Sequence, residues 1–488
     1  MCEVWGCGFT GEILKLFGLK NNGSDKLLAA IKNGERLTFG EQLYLTMMLS
    51  IPAIFAQVSS IVMQYIDASM VGSLGADASG AIGLVSTTTW LFGGTCVAVT
   101  TGFSVQIAQA IGAGKDREAR DIMKQGIIIA LCYSIMLLLI AVSIHKSLPG
   151  WLGGAAGIRE MAGRYFFIYM LAVPASMMNG IAGGMLQCSG NMRVPSILNI
   201  MMCFLDVVFN WFFIFPDRSL NIFGRVYTVP GMGLGVDGAA LGTALAQVIT
   251  AVLMLSLLLF GKSILRLHAG EGIRFFKQHI KRAVKIAVPV GVEQIVMCSA
   301  YVMSTKIVSP LGTIAIAAHS FAITAESLCY MPGYGIQAAA TTLVGQSVGA
   351  GRRYLSRHMA WLTVGLGVLM MSIGAVIMYF AAPAMIGVLT PDPRIRELGT
   401  MVLRIEVFAE PFYALSIVAS GALRGAGDTL IPSCVNFVSM WLVRIPLSAL
   451  LAPSMGLKGV WLAMCIELCV RGVLYFIRLK RGKWLKIE

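Results

Sequence analysis

Asp67 lies deep in a long apolar stretch, where a carboxylate costs about 2.5–3.5 kcal/mol to place at the centre of a membrane helix and so calls for a chemical reason. Gln57, Ser60, Gln64 and Asp67 advance by 3, 4 and 3 residues, which keeps all four on one side of a helix. A second polar stripe, Asn199, Cys203, Asp206 and Asn210, advances by 4, 3 and 4. Asp206 and Asn210 stand one helical turn apart and can share a ligand, and Thr243 supplies a hydroxyl in a later apolar run. Two carboxylates, an amide and a hydroxyl could take up a proton or coordinate a small cation, so Asp67, Asp206, Asn210 and Thr243 form the candidate coupling site. The bland alternative for Asp67 is a wet position near the outer end of its helix.

Other acids occur later in the chain. Glu293 falls one turn past Pro289, and Glu326 shares a helical face with His319, Ile323 and Tyr330 at steps of 4, 3 and 4. Gln57, Gln64, Asn199, Glu293 and Glu326 are the expected lining of a substrate cavity. Glu406 beside Arg404 reads as a structural pair near a helix end. The five histidines are dispersed and most of the eleven cysteines sit in apolar runs as small hydrophobes, so no metal site can be read.

The elements that hold these residues are membrane helices. The chain of 488 residues is 57% hydrophobic and 13% charged, against roughly 25% charged in soluble domains. Apolar runs of about 20 residues, the length that spans a bilayer, recur throughout. Twelve are expected, beginning near Leu43, Ala81, Asp121, Met161, Ser196, Gly238, Ala283, Ala315, Leu355, Leu398, Ile431 and Gly456. The net charge of +14 does not point to nucleic acid, because Lys and Arg collect in alternate loops. The loop between the first two helices has neither, whereas Lys115 to Lys124, Lys262 to Lys285, Arg352 to Arg357 and the terminus from Arg478 are basic. That asymmetry places both termini in the cytoplasm of a multi-pass cell-membrane protein. No cleavable signal peptide is evident; residues Phe9 to Lys20 form either an interfacial amphipathic helix or a mobile tail.

The chain is also a duplication. Pro52 returns as Pro289 (289 − 52 = 237), and the same offset joins Gln57 to Gln294, Gly75 to Gly312, Gln109 to Gln346, Pro174 to Pro411, Gly190 to Gly427 and Asn199 to Asn436. Later, Gly235 answers Gly456 at an offset of 221, so the first copy carries 16 extra residues (237 − 221 = 16), which fit the polar stretch Pro216 to Gly231. A two-fold repeat in an apolar chain points to a transporter. The expected divisions are a cytoplasmic segment 1–40, a six-helix lobe 41–260, a basic cytoplasmic linker 261–282, a second lobe 283–479 and a basic tail 480–488. The copies differ in chemistry, since Asp67 and Asp206 are answered by Ser304 and Val443. The GAG turns at Gly112 and Gly349 read as helix-ending turns.

Soluble-enzyme signals fail. Gly233-x-Gly235-x-x-Gly238 lacks a strand–turn–helix context, and Gly261-Lys262-Ser263 has Ser256 where a phosphate loop needs its first glycine. With no means of using ATP, uphill work would draw on an ion gradient. No enzyme and no cofactor are expected.

YIDASMVGSLG (Tyr65 to Gly75), IVSPLGTIAIAAH (Ile307 to His319), TTLVGQSVGAG (Thr341 to Gly351), GALRGAGDTLIP (Gly421 to Pro432) and VRIP (Val443 to Pro446) resemble the multidrug and toxic compound extrusion (MATE) family. The resemblance runs from about Leu43 to Arg478. It implies an all-α integral membrane protein of twelve transmembrane helices, in two six-helix lobes related by a pseudo-two-fold axis along the membrane normal. It further implies export of organic cations or amphipathic drugs in exchange for H⁺ or Na⁺; apart from that small-molecule substrate, membrane lipid is the expected partner and a monomer the expected state. Asp67 matches the family's acid on the first helix and Pro52 its kink proline. On the fifth helix the common order of Asn then Asp is reversed here, as Asp206 then Asn210. Met297 and Tyr413 occupy positions where some members carry C-terminal acids, with Glu293 and Glu410 a turn away. The same-superfamily alternative is a flippase of lipid-linked precursors; the alternative of another class is a membrane receptor or enzyme.

Overall fold

The computed structural model describes residues 22–222, 225–261, 263–268, 271–272 and 274–485. Twelve spans follow a short amphipathic helix, Asn22–Asn33. Spans one to three are Phe39–Gly72, Ala76–Gly112 and Asp116–Ile144. The fourth is a bent pair, Ala156–Leu171 with Val173–Cys188, at 42°. The fifth and sixth are Arg193–Ile214 and Val236–Phe260. The second lobe repeats this order with Lys277–Val308, Thr313–Gly349 and Arg353–Leu389 as spans seven to nine. The tenth span joins Pro393–Glu406 to Glu410–Gly425, the eleventh runs Leu430–Met455 and the twelfth Leu457–Arg481. Every span begins within six residues of its expected start. Ten helices, or eleven with the bent pair, are apolar enough to cross a membrane alone. The tenth span is not among them: a 3-10 turn at Val407–Ala409 divides it into helices of 14 and 16 residues, each too short to cross alone.

Proline and glycine set the repeat. Pro52 and Pro289 lie inside the first and seventh spans, and Pro174 and Pro411 open the second halves of the fourth and tenth. Paired glycines take matching left-handed geometry, with φ of 98° and 84° at Gly190 and Gly427 and of 74° and 69° at Gly114 and Gly351. The copies cross each other at the end of the bundle that bears the termini. A Cβ on Gly112 would collide with the Gln346 carbonyl, and one on Gly349 with the Gln109 carbonyl. The GAG motifs therefore do more than end their helices: their glycines let the second and eighth spans touch backbone to backbone.

Three expectations change. The polar insertion is an antiparallel hairpin, Pro216–Ile222 against Arg225–Met232, an all-β exception in a helical protein. Its alternating residues and the Pro230-Gly231 break suit strand pairing outside the bundle. The basic linker is shorter than 261–282, because the seventh span already begins at Lys277. The described parts of the segments 1–40 and 480–488 pack into the bundle: Leu28, Ile31, Trp484 and Leu485 are buried in one apolar cluster with Leu45, Leu343 and Leu355. The Phe9 to Lys20 segment lies outside the described residues.

Candidate functional site

The two polar stripes of the first lobe converge as their spacing requires. Asp67 on the first span and Asp206 and Asn210 on the fifth meet through one amide: Asn210 Nδ2 donates to Asp67 Oδ1 at 2.9 Å and to Asp206 Oδ2 at 3.1 Å. Asp206 and Asn210 are each 1% exposed, and Thr243 of the sixth span faces the Asp206 carboxylate. Asp206 Oδ1 and Asn210 Oδ1 have no hydrogen-bond partner. The fifth span reaches this depth because Gly242, beside Thr243, has no side chain; a Cβ there would strike the Asn210 amide. Gly242 was not singled out by sequence reasoning, although a glycine next to a candidate ligand is a signal of close approach. Asn199, four residues before Cys203, accepts instead from Asn179 Nδ2 at 3.4 Å, and Gln57 is half-buried while Gln64 is exposed.

The second lobe holds its acids differently. Glu293 is 5% exposed and committed to internal partners: Arg424 at 2.9 Å, Ser433 Oγ at 2.8 Å and Asn436 Nδ2 at 2.6 Å. This revises its expected role as a free cavity acid, since a buried carboxylate with a cation and two donors is already neutralised. The expected Glu406–Arg404 pair does not form. Arg404 donates to the Tyr379 carbonyl at 3.1 Å and stacks over the Tyr379 ring, while Glu406 turns inward and is fully buried. Residues two apart point to different sides of a helix, so the two could not share a face.

Glu406 meets Glu410, one turn on, and Glu326 from the eighth span; their carboxylate oxygens lie within 4.8 Å of one another. None of the four oxygens of Glu406 and Glu410 has a hydrogen-bond donor. Tyr330 and Tyr413, each about one helical turn from an acid of the triad, meet edge to face with ring centroids 5.5 Å apart. His319, on the Glu326 face, accepts from Trp461 Nε1 at 3.0 Å. Arg471 pairs with Glu467 at 2.6 Å, and Arg444 reaches only sulfur, at 2.9 Å from Met464 Sδ. Arg444 lies in a π-helical turn, Val438–Arg444, just before Pro446, whose missing N–H breaks the α-helical ladder.

Two six-helix repeats with membrane-buried acids in each define a secondary-transporter architecture. The MatE family model matches residues 52–212 and 289–450, two segments starting at the duplicated prolines and covering most of the chain. This protein belongs to the MATE family, whose members are transporters rather than enzymes. Its twelve spans form two lobes related by a pseudo-two-fold axis along the membrane normal. It is 27% identical over 452 residues to a probable multidrug resistance protein NorM of Thermotoga maritima, covering 90% of this chain and 92% of that protein. It is 25% identical over 456 residues to the multidrug resistance protein MdtK of Yersinia pestis, covering 90% and 94%. The fold superposes on an outward-facing multidrug resistance MATE family transporter with a TM-score of 0.82 at 19% identity, covering 93% of this chain and 100% of that one.

Proposed function

We propose that this protein is an antiporter that exports organic cations or related amphipathic compounds from the cytoplasm in exchange for H⁺ or Na⁺. The observation that carries this reading is the Asp67–Asn210–Asp206 bridge. One neutral amide cannot balance the buried Asp206 carboxylate and the half-buried Asp67 carboxylate beside it, so the site has a place for a positive charge, a proton or a small cation. Occupancy by that charge is exclusive with one lobe arrangement, and the lobes alternate access to a central cavity. Pro52 leaves a backbone carbonyl unpaired on the span that carries Asp67, which lets the charge state of the acid be relayed as a bend. The NorM and MdtK relatives, both described as multidrug resistance proteins, support drug-like substrates.

The basic loops support cytoplasmic termini in a cell membrane. A reporter fused after Glu488 should report cytoplasm and one in the hairpin the outside; the opposite result removes the orientation. Efflux of a fluorescent organic cation from everted vesicles tests the exchange. An imposed proton or sodium gradient should drive it, and indifference to both gradients would sink the antiport reading.

One observation favours a second coupling site. The unpartnered oxygens of Glu406 and Glu410 beside Glu326 also lack a balancing charge and could hold the coupling ion in the second lobe. A flippase for phosphate-bearing lipids is less well supported, because Arg424 and Arg471 are each tied to a carboxylate, which leaves Arg444, bonded only to sulfur, as the one buried arginine without an acid among the described residues.

A further inference from the structure

The helix Asn22–Asn33 lies outside both segments matched by the family model, yet it is packed as firmly as a core element. Ser24, Leu28 and Ile31, spaced by 4 and 3, form its inner face; Ser24 and Ile31 are fully buried, whereas Asp25, Lys26 and Ala29 are exposed. This face rests where the second and eighth spans cross, and it touches both lobes. On the first lobe, Lys32 Nζ lies 2.9 Å from each carboxylate oxygen of Asp116, at the start of the third span. Leu28 fills the slot left by Gly190, in the turn after the fourth span, where any Cβ would collide with it. On the second lobe, Arg352, which precedes the ninth span, donates to the Ala30 carbonyl at 3.4 Å. Leu28 and Ile31 share one apolar cluster with Leu343, Val344 and Leu355 of the second lobe.

Beneath the helix, each lobe also reaches across to the other. Gln109 Nε2 donates to the Gly425 carbonyl at 2.8 Å, and Gln346 Nε2 to the Cys188 carbonyl at 2.9 Å. These two bonds are related by the duplication and must break if the lobes part at this end. Among the described residues the helix has no such twin; it is one added element laid over a symmetric closure.

We propose that Asn22–Asn33 is a latch that holds the lobes together at the termini-bearing end, and that opening there requires it to release one lobe. The proposal rests on the alternating-access reading but is tested without transport. Cys188 is 4% exposed and its own carbonyl is part of the closure, so its alkylation reports opening at this end. Cys203 and Cys329, buried within the two lobes, report loosening of the fold. The full-length protein in membrane vesicles is treated with a permeant maleimide, and each thiol is followed by peptide mass. Lys32→Glu should speed Cys188 modification by roughly threefold or more, since the half-exposed pair is replaced by repulsion. Leu28→Asp should speed it further, because a charge cannot occupy the Gly190 slot. The swap Lys32→Glu with Asp116→Lys should restore the slow rate. Higher salt should weaken the Lys32–Asp116 tie of the unaltered protein and move it toward the Lys32→Glu rate. Unchanged Cys188 modification in both single variants overturns the latch. Equal acceleration of Cys203 and Cys329 also overturns it, reducing the helix to an ordinary piece of the core. A failure of gradient-driven efflux would leave this measurement intact.

Discussion

The two lobes share a backbone plan and divide their acids without overlap. At the fixed offset, Asp67 and Asp206 of the first lobe face Ser304 and Val443 of the second. Conversely, Glu326, Glu406 and Glu410 of the second lobe answer to Thr89, Tyr169 and Val173 of the first. The first lobe bridges its acids with a donor, Asn210; the second leaves Glu406 and Glu410 without any. The fifth span stays a regular helix through Asp206, whereas its counterpart opens into a π turn spanning Val443. Duplication therefore preserved the hinge and turn residues, whose geometry the fold demands, and released the polar positions inside the lobes to diverge. An antiporter of the proposed kind, which binds a driving ion and a different cargo, would gain from such asymmetry.

The largest expected effect separates the lobes by coupling. Asp67→Asn removes the titratable group and nearly keeps its shape, so folding and drug binding should persist while gradient-driven efflux falls by roughly a hundredfold or more. Asp206→Asn should match it, and the double change should add little, because both acids share the Asn210 bridge. Glu410→Gln, measured in the same vesicles, should cost clearly less. An equal loss would move the driving ion to the second lobe, and full efflux by Asp67→Asn would remove the first lobe from coupling altogether. Pro52→Ala should keep binding and slow turnover if a bend transmits the charge; an unchanged rate excludes the bend.

Next in size is stability, where the second lobe is the more exposed to damage. Arg424→Ala leaves Glu293 charged and buried without its cation, at a cost of roughly 3–5 kcal/mol. Combining Glu293→Gln with Arg424→Met removes both charges and should recover much of that, as judged by thermal unfolding in detergent. If the single change is neutral, the Glu293 network is not the anchor its geometry describes. By contrast, the crossing glycines should respond alike in the two lobes. Gly112→Ala and Gly349→Ala each push a methyl group into a backbone carbonyl of the other lobe and should each cost about 1–3 kcal/mol. Unequal costs would show that the closure is less symmetric than its contacts.

Most of the fold was legible in the sequence because prolines, glycines and apolar run lengths report backbone geometry directly. The first-lobe site was legible for a related reason: steps of 3 and 4 put Asp67, Asp206 and Asn210 on definite helix faces. What escaped notice were partners far apart in the chain with no periodic tie. Nothing local joins Glu293 to Arg424 of the GALRGAGD turn, or Leu28 to Gly190. Glu406 and Arg404 show the opposite case: they are close in sequence, yet a helix places positions two apart on different sides. Gly242 was passed over because a glycine in an apolar helix has many uses, and only contact with Asn210 reveals this one.

The smallest expected effect concerns the loops at the termini-bearing end. On the first-lobe side, Glu271 of the linker is gripped by Arg120 at 2.7 Å and Lys124 at 3.3 Å. Hydrogen bonding from Arg120, aided by Lys124, lowers the Glu271 carboxyl to about 2 from its ordinary 4.5. The residue matching Arg120 in the second lobe is Arg357, which donates to the Lys480 carbonyl, a group that does not titrate. Because the folded value lies below the ordinary one, the Glu271 contact contributes fully above about pH 4.5 and is lost as pH falls through about 2. Between pH 5 and 8 neither of these two loop contacts should change. Hydrogen exchange of the linker near Arg274 should be slower in the unaltered protein than in Glu271→Gln at pH 6. That difference should vanish toward pH 2, while the segment around Lys480 shows none at any pH. No difference at pH 6 would mean that Arg120 and Lys124 hold the linker through its backbone carbonyls, at Ile264 and Glu271, which Glu271→Gln leaves in place, and not through the carboxylate.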